Sequence, residues 1–215
     1  MRVNDHEIRR RGCLFIVSGP SGAGKTSICR PVLSRVDNLA LSVSFTTRKP
    51  RGGEGDGVEY RFVDDTIFDE MVAAGEFAEW AEVHGYRYGT SRVTVERARA
   101  SGRDLLLDID VQGAAQLKGV YPEAVAVFLL PPSADHLERR LVSRGTEAPD
   151  TVRKRLQNAC REIAQIDRYD YAIVNEDLNA AVEGLMAIIA AERLRVGRIR
   201  HADLEVLVRA FGERT

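Results

Sequence analysis

The segment Gly19-Pro20-Ser21-Gly22-Ala23-Gly24-Lys25-Thr26 restricts the fold of this chain more than any other, because it matches G-x-x-x-x-G-K-S/T in the setting where that pattern works. The apolar run Cys13-Leu14-Phe15-Ile16-Val17 before it reads as a buried strand, and the residues after it open a helix expected over 26–36. Glycines let successive backbone N–H groups turn toward phosphate oxygens, and the helix N-terminus adds partial positive charge. In such a loop Lys25 lies along the β- and γ-phosphates of a nucleoside triphosphate, and the Thr26 hydroxyl is one ligand of Mg2+. A glycine-rich strand-to-helix turn can exist without a ligand, but the flanking strand and helix favour phosphate binding.

At 215 residues the chain can bury roughly 70% of its unfolded surface without disulfides or metals as staples. A formal net charge of −1 gives no basic field for nucleic acid or an acidic membrane, so neither partner is expected. Only four of the 31 basic residues are lysines, so an arginine is informative only through its position. Cys13, Cys29 and Cys160 are scattered through apolar or helical contexts and read as reduced core residues of a cytoplasmic protein. The residues up to Gly12 are polar, the apolar run after them is too short for a signal-peptide core, and no stretch approaches the ~20 apolar residues that cross a bilayer.

Strand-like and helix-like segments alternate along most of the chain. They predict an α/β fold: a P-loop NTPase-type doubly wound parallel sheet of four or five strands, with ligands at the strand C-terminal ends. Strands are expected over 105–110, 124–130 and 171–175, and helices over 93–100, 134–143, 150–166, 178–195 and 202–211. Between them the texture changes. Gly52, Gly53, Gly55 and Gly57 crowd together, a helix is expected over 65–74, and short alternating strands carry Tyr60, Phe62, Phe77, Trp80, Tyr86 and Tyr88. The expected division is a core of residues 1–42, 94–133 and 164–215, a mixed α+β insert of 43–93 and a helical unit of 134–163, the last two able to move against the core.

Within the insert, Arg48 and Arg51 flank a turn and Tyr60 follows. Guanidinium forks and a phenol suit a phosphate monoester, and a monophosphate facing a triphosphate is a kinase arrangement. A solvated basic turn is the plain alternative, which the upstream phosphate loop disfavours. Asp108 and Asp110 end a buried strand, and either could organise Mg2+ because residues two apart share a strand face.

With these residues in view, the chain closely resembles the guanylate kinase family, which transfers the γ-phosphoryl group of ATP to GMP. The likeness covers about residues 12–208 through GPSGAGKT, SFTTRKPRGGE, GEFAEWAEVHGYRYGT, LLLDIDVQG, RRLVSRGTE, RKRLQNA, DYAIVN and AERLR, in order. The resemblance implies that Arg48, Arg51, Tyr60 and Tyr88 hold the GMP phosphate, with Glu54 in support. It gives the guanine ring to Ser44, Glu79 and Thr90, with Asp110 near the nucleotide. A carboxylate such as Glu79 accepts both N1–H and N2–H of guanine, a donor pair adenine lacks. The resemblance makes 134–163 a lid, with Arg140 on the ATP side and Arg144 and Arg155 closing over the transferring group, and it sets Asn175 and Glu176 against the adenine of ATP. Catalysis would rest on Lys25, Arg51, Arg144 and Arg155. Phe45, alternating away from Ser44, and Arg87, beside Tyr88, depart from the family's usual residues.

The expected activity is therefore direct in-line transfer from Mg2+·ATP to GMP. Two alternatives stay open on sequence alone: a related P-loop small-molecule kinase, such as a ribose bisphosphate kinase, and a non-catalytic guanylate-kinase-like binding module.

Overall fold

Leu14–Ser18, the strand β1 that feeds the phosphate loop, is buried along its whole length. The computed structural model describes residues 10–142, 149–199 and 201–212. Side chains alternate across the strand. Phe15 and Val17 join Ile28, Cys29 and Val32 of helix α1 (Lys25–Arg35) on one face, while Leu14 and Ile16 pack with Leu117 and Val95 on the other. Both faces are covered, as an all-parallel sheet requires.

Five parallel strands form this sheet. In chain order they are β1, β2 (Leu39–Leu41), β7 (Asp104–Asp108), β8 (Val125–Leu130) and β9 (Tyr171–Val174), and in space they run β2-β7-β1-β8-β9. β1 lies between β7 and β8, so the chain winds outward in both directions from it and a crevice opens at its C-terminal end. The short edge strand β2 is not among the expected strands, because three residues after a helix carry no readable alternation.

A second, mixed sheet has the order β4-β3-β6-β5, built from β3 (Ser44–Thr46), β4 (Tyr60–Phe62), β5 (Phe77–Val83) and β6 (Tyr86–Ser91). β5 and β6 form a hairpin whose two turn residues, His84 and Gly85, have φ of 53° and 80°, the left-handed pair that matches strand twist. Helix α2 (Asp65–Ala73) packs against this sheet through Phe68, whose ring centroid is 4.6 Å from that of Phe77. Phe45 meets Phe77 edge-on at 5.9 Å, so it does turn away from Ser44 into the insert. Arg87 pairs with Asp65 and Asp69 and lies over the Phe68 ring, fastening α2 in place.

Helix α3 (Arg92–Ser101) returns the chain to the core and α4 (Val111–Val120) follows β7. Gln116 of α4 exchanges two hydrogen bonds with the backbone of Trp80 on β5, at 3.2 and 2.8 Å, satisfying an edge strand of the second sheet from the core. Helices α5 (Ala134–Val142) and α6 (Pro149–Ile163) pack through Leu137, Leu141, Val152 and Ala159. α6 ends earlier than expected, and Ile166–Arg168 form a separate 3-10 turn. Cys13 and Cys29 are buried, but Cys160 is exposed, contrary to its expected place in the core: it falls one residue past Ala159, on the solvent side of the buried stripe. Helices α7 (Leu178–Arg193) and α8 (His201–Gly212) complete the described chain.

Candidate active site

Helices α2, α3, α4 and α7 each begin with a side-chain cap, from Asp64, Ser91, Asp110 and Asp177. α1 does not. Its N-cap is Gly24, at φ 96°, with no side-chain hydrogen bond, so the first amides of the helix remain available to an anion. A Cβ at Gly24 would come within 2.4 Å of Asn175 Nδ2. Asn175 is buried and donates from Nδ2 to the Ala23 carbonyl at 2.7 Å, so it supports the loop from beneath, while its neighbour Glu176 is exposed.

Lys25 Nζ donates to the Gly19 carbonyl at 2.7 Å, which curls the ammonium over the loop. Thr26 Oγ1 donates to Asp108 Oδ2 at 3.3 Å. Burial raises the Asp108 carboxyl above the ordinary range, against the opposing effects of nearby Lys25 and the Thr26 hydroxyl. Asp110 is engaged elsewhere, capping α4 by accepting from the Gly113 N–H at 2.9 Å. A hydroxyl and a carboxylate beside a phosphate loop are hard oxygen donors, and they fit a Mg2+ that completes its shell with phosphates and water.

Helices α5 and α6 reach this loop. Arg140 Nη1 donates to the Ala23 carbonyl at 3.3 Å and Arg155 Nη2 to Ser21 Oγ at 2.7 Å. Arg144 lies outside the described residues.

Across the crevice, Arg48 is buried and its guanidinium grips Glu54 with both forks, at 2.8 and 3.0 Å, while Glu54 also accepts from the Arg51 N–H at 2.7 Å. The Arg48 pair holds the Glu54 carboxyl below its usual range. Arg48 also lies over the Tyr60 ring at 5.2 Å, and the Tyr60 and Tyr88 rings meet edge-on at 5.7 Å. The Arg51 side chain, in contrast, is exposed at the turn.

Glu79 is 5% exposed. It reaches its position through a β-bulge: Phe77 pairs with Ser91 but Glu79 with Thr90, so two β5 steps oppose one on β6. In a regular strand Phe77 and Glu79 would share a face; the bulge sends the ring under α2 and the carboxylate to the crevice. The paired Thr90 Oγ1 then donates to Glu79 Oε1 at 2.5 Å. Burial pushes the Glu79 carboxyl up to about 7, the Thr90 hydrogen bond opposing and the Asp110 charge adding to the shift.

One cavity of about 210 Å3 joins the two sides. It is lined by Gly19, Ser21 and Lys25 from the loop, by Ser44, Tyr60, Glu79 and Tyr88 from the second sheet, and by Asp108 and Asp110 between them. Thr90 lies behind Glu79 rather than on the wall, and Arg48 and Arg51 are not on it. Glu162, Val83 and His84 also line it, though sequence reasoning did not single them out. Glu162 had a signal: it follows Arg155 by seven residues on α6, two turns along one helix face. A larger cavity of about 830 Å3 lies at the opposite end of the parallel strands, near Gly12 and Val125, where Lys118 is already paired with Asp170.

The family model described as guanylate kinase matches residues 11–192. The chain belongs to the guanylate kinase family. It is 55% identical over 193 residues to the guanylate kinase of Syntrophotalea carbinolica, covering 90% of this chain and 92% of that one. Identity to the guanylate kinase of Carboxydothermus hydrogenoformans is 50% over 194 residues, 90% and 95% of the two chains. The crystal structure of guanylate kinase from Anaplasma phagocytophilum superposes with a TM-score of 0.76 at 33% identity, covering 91% of this chain and 93% of that one. The guanylate kinase fold is thus shared along nearly the whole length.

Proposed function

We propose that this chain transfers the γ-phosphoryl group of ATP to GMP, giving ADP and GDP, by direct in-line displacement within the cavity that joins the phosphate loop to Glu79. The observation that carries the reading is that cavity, with the Lys25 loop at one end and the buried Glu79 carboxylate at the other. A GMP phosphate oxygen attacks the γ-phosphorus while the bond to the bridging oxygen breaks and ADP departs. That oxygen is already anionic, so the site must position and neutralise rather than deprotonate.

The backbone amides of residues 19–26 and Lys25 hold the ATP phosphates. Thr26 and Asp108 are the residues that would hold Mg2+, which when bound neutralises charge on the phosphates. The 3.3 Å Thr26–Asp108 contact favours Asp108 over Asp110 in that role, since Asp110 is engaged as a helix cap on the GMP side. Ser44 and Glu79 read guanine, and Thr90 takes part from behind by holding the Glu79 carboxylate. Arg48, Arg51, Tyr60 and Tyr88 take the GMP phosphate, Glu54 keeping the Arg48 fork in plane. Arg140, Arg144 and Arg155 belong to the lid, and Arg155 exchanges Ser21 for phosphate oxygens on closure. Asn175 serves the ATP side through the loop it braces, with Glu176 at the rim. The moving parts are core 1–42, 94–133 and 164–215, insert 43–93 and lid 134–163, and closing only around both substrates keeps water from the triphosphate. The buried free thiols of Cys13 and Cys29 suit a cytoplasmic enzyme.

A coupled assay with ATP and GMP tests the reading. Glu79→Gln and Arg51→Ala are expected to weaken GMP use by roughly 100-fold each while leaving the KM for ATP near the parent value. Unchanged GMP use in both variants overturns the acceptor site. A screen of AMP, UMP, CMP and IMP separates this reading from that of another small-molecule kinase, and GDP formation separates it from that of a binding module.

A further inference from the structure

Helix α4 carries a glycine in its first turn that its own backbone does not need. Gly113 is the third residue of Val111–Val120 and is absent from the glycines with positive φ, although glycine is the poorest helix former after proline. Space explains it. A Cβ built on Gly113 would stand 2.4 Å from Glu79 Oε2, 3.1 Å from Glu79 Cδ and 3.4 Å from Asp110 Oδ1. Gly119 on the same helix provides the contrast, since nothing lies within 4 Å of its added Cβ.

We propose that Gly113 is a positioning residue for guanine recognition: its bare Cα leaves the room in which the Glu79 carboxylate stands, with Oε2 against the first turn of α4, when it faces the base. The proposal rests on the reading that Glu79 accepts from guanine. Each carboxylate oxygen is constrained by a different element. Oε1 is held by the Thr90 hydroxyl across the β5–β6 ladder, and Oε2 by the surface of α4 at Gly113. The Gly113 N–H is committed to Asp110, which fixes the helix turn itself. The only clash a methyl group at 113 makes is with the far end of the Glu79 side chain, Asp110 Oδ1 standing at ordinary contact distance, so the relief is rotation of Glu79 away from Thr90 rather than movement of backbone. The donor pair of guanine then meets a misplaced acceptor, and the acceptor base rather than the phosphoryl chemistry bears the loss.

The test is the full-length enzyme carrying Gly113→Ala, with Gly119→Ala as the control for helix propensity and Glu79→Gln as the control for the underlying reading. The expected result for Gly113→Ala is a folded protein with KM for GMP raised roughly 10- to 100-fold, kcat and KM for ATP near the parent values, and a narrowed preference for GMP over IMP. Gly119→Ala should leave all of these unchanged. If Glu79→Gln raises KM for GMP and Gly113→Ala does not, the positioning role is overturned and the Glu79 reading stands; if Glu79→Gln has no effect, both fall. A loss in Gly113→Ala spread equally over ATP and GMP also overturns it. Should Gly113→Ala not fold, the pair Glu79→Asp with Gly113→Ala decides: the shorter carboxylate restores the fold if the contact is the one described, and a fold lost in both overturns the proposal.

Discussion

The two sides of the crevice are built on opposite plans. The phosphate-loop side is eight consecutive residues on the crest of a parallel sheet, and most of what it offers is main-chain amide, with Lys25 the one long side chain. The second-sheet side is side chains from β3, β4, β5 and β6, brought together by cross-strand register and one bulge, with α4 as their backing. A site made of backbone depends on the loop's path. A site made of side chains depends on every neighbour that sets a rotamer, so its weak points lie outside the residues that touch the nucleotide.

The contrast is sharpest at Lys25. Lys25→Ala removes the only side-chain cation of the loop without disturbing its amides, and a loss of kcat on the order of 10³-fold is expected with the thermal melt unchanged. A variant within tenfold of the parent would move the work of charge stabilisation to the lid arginines.

Glu79 is expected to make the GMP side, and not the ATP side, sensitive to pH near neutrality. The groups around its carboxyl are Thr90, which favours the anion, and Asp110, which opposes it; burial exceeds both and leaves it titrating at about 7. Guanine donates and needs the anion, so KM for GMP should rise up to about tenfold per unit as pH falls below about 7, level off above it, and leave KM for ATP flat. Stability responds in the opposite sense. A carboxyl raised from 4.5 to about 7 favours the fold while protonated, so Glu79's own contribution is full below about 4.5, declines between 4.5 and 7, and is level above. Melting the parent beside Glu79→Gln across that window isolates it.

The smallest effect is expected at Arg87, which serves the insert's fold without touching the cavity. Arg87→Ala removes the contacts to Asp65, Asp69 and the Phe68 ring and should cost about 1 kcal/mol in a denaturant titration. Both KM values should stay within roughly threefold, because the changed face is the one turned from the nucleotide. A selective rise in KM for GMP would show that α2 also sets the bulge.

How far each side can be read from sequence follows the same division. The ATP loop is legible because its determinants are contiguous and glycine spacing reports them directly. The parallel sheet is legible because buried strands such as Leu14–Ser18 and Val125–Leu130 are unbroken apolar runs. Glu79 is reached only through resemblance, since period-two alternation would put it on the face of Phe77; the bulge that separates them leaves no mark in hydrophobic pattern. Glu162 escapes notice although its spacing from Arg155 is visible, because a lone carboxylate on a charged helix resembles any solvated position. Cys160 is misplaced for a related reason: one residue along a helix is a turn of about 100°, and that suffices to leave the buried stripe.

The bonds between Gln116 and Trp80 have a mechanical consequence. They fasten β5 to a core helix at one margin of the second sheet, while β4, with Tyr60, forms the opposite margin. Any swing that preserves those bonds therefore turns about β5 as an axle, and the sweep grows strand by strand outward. In such a swing the Glu79 carboxylate, one residue from Trp80, would sit beside the pivot and scarcely travel, while the Tyr60 phenol and the neighbouring arginine turn, out on the rim, would describe the widest arc.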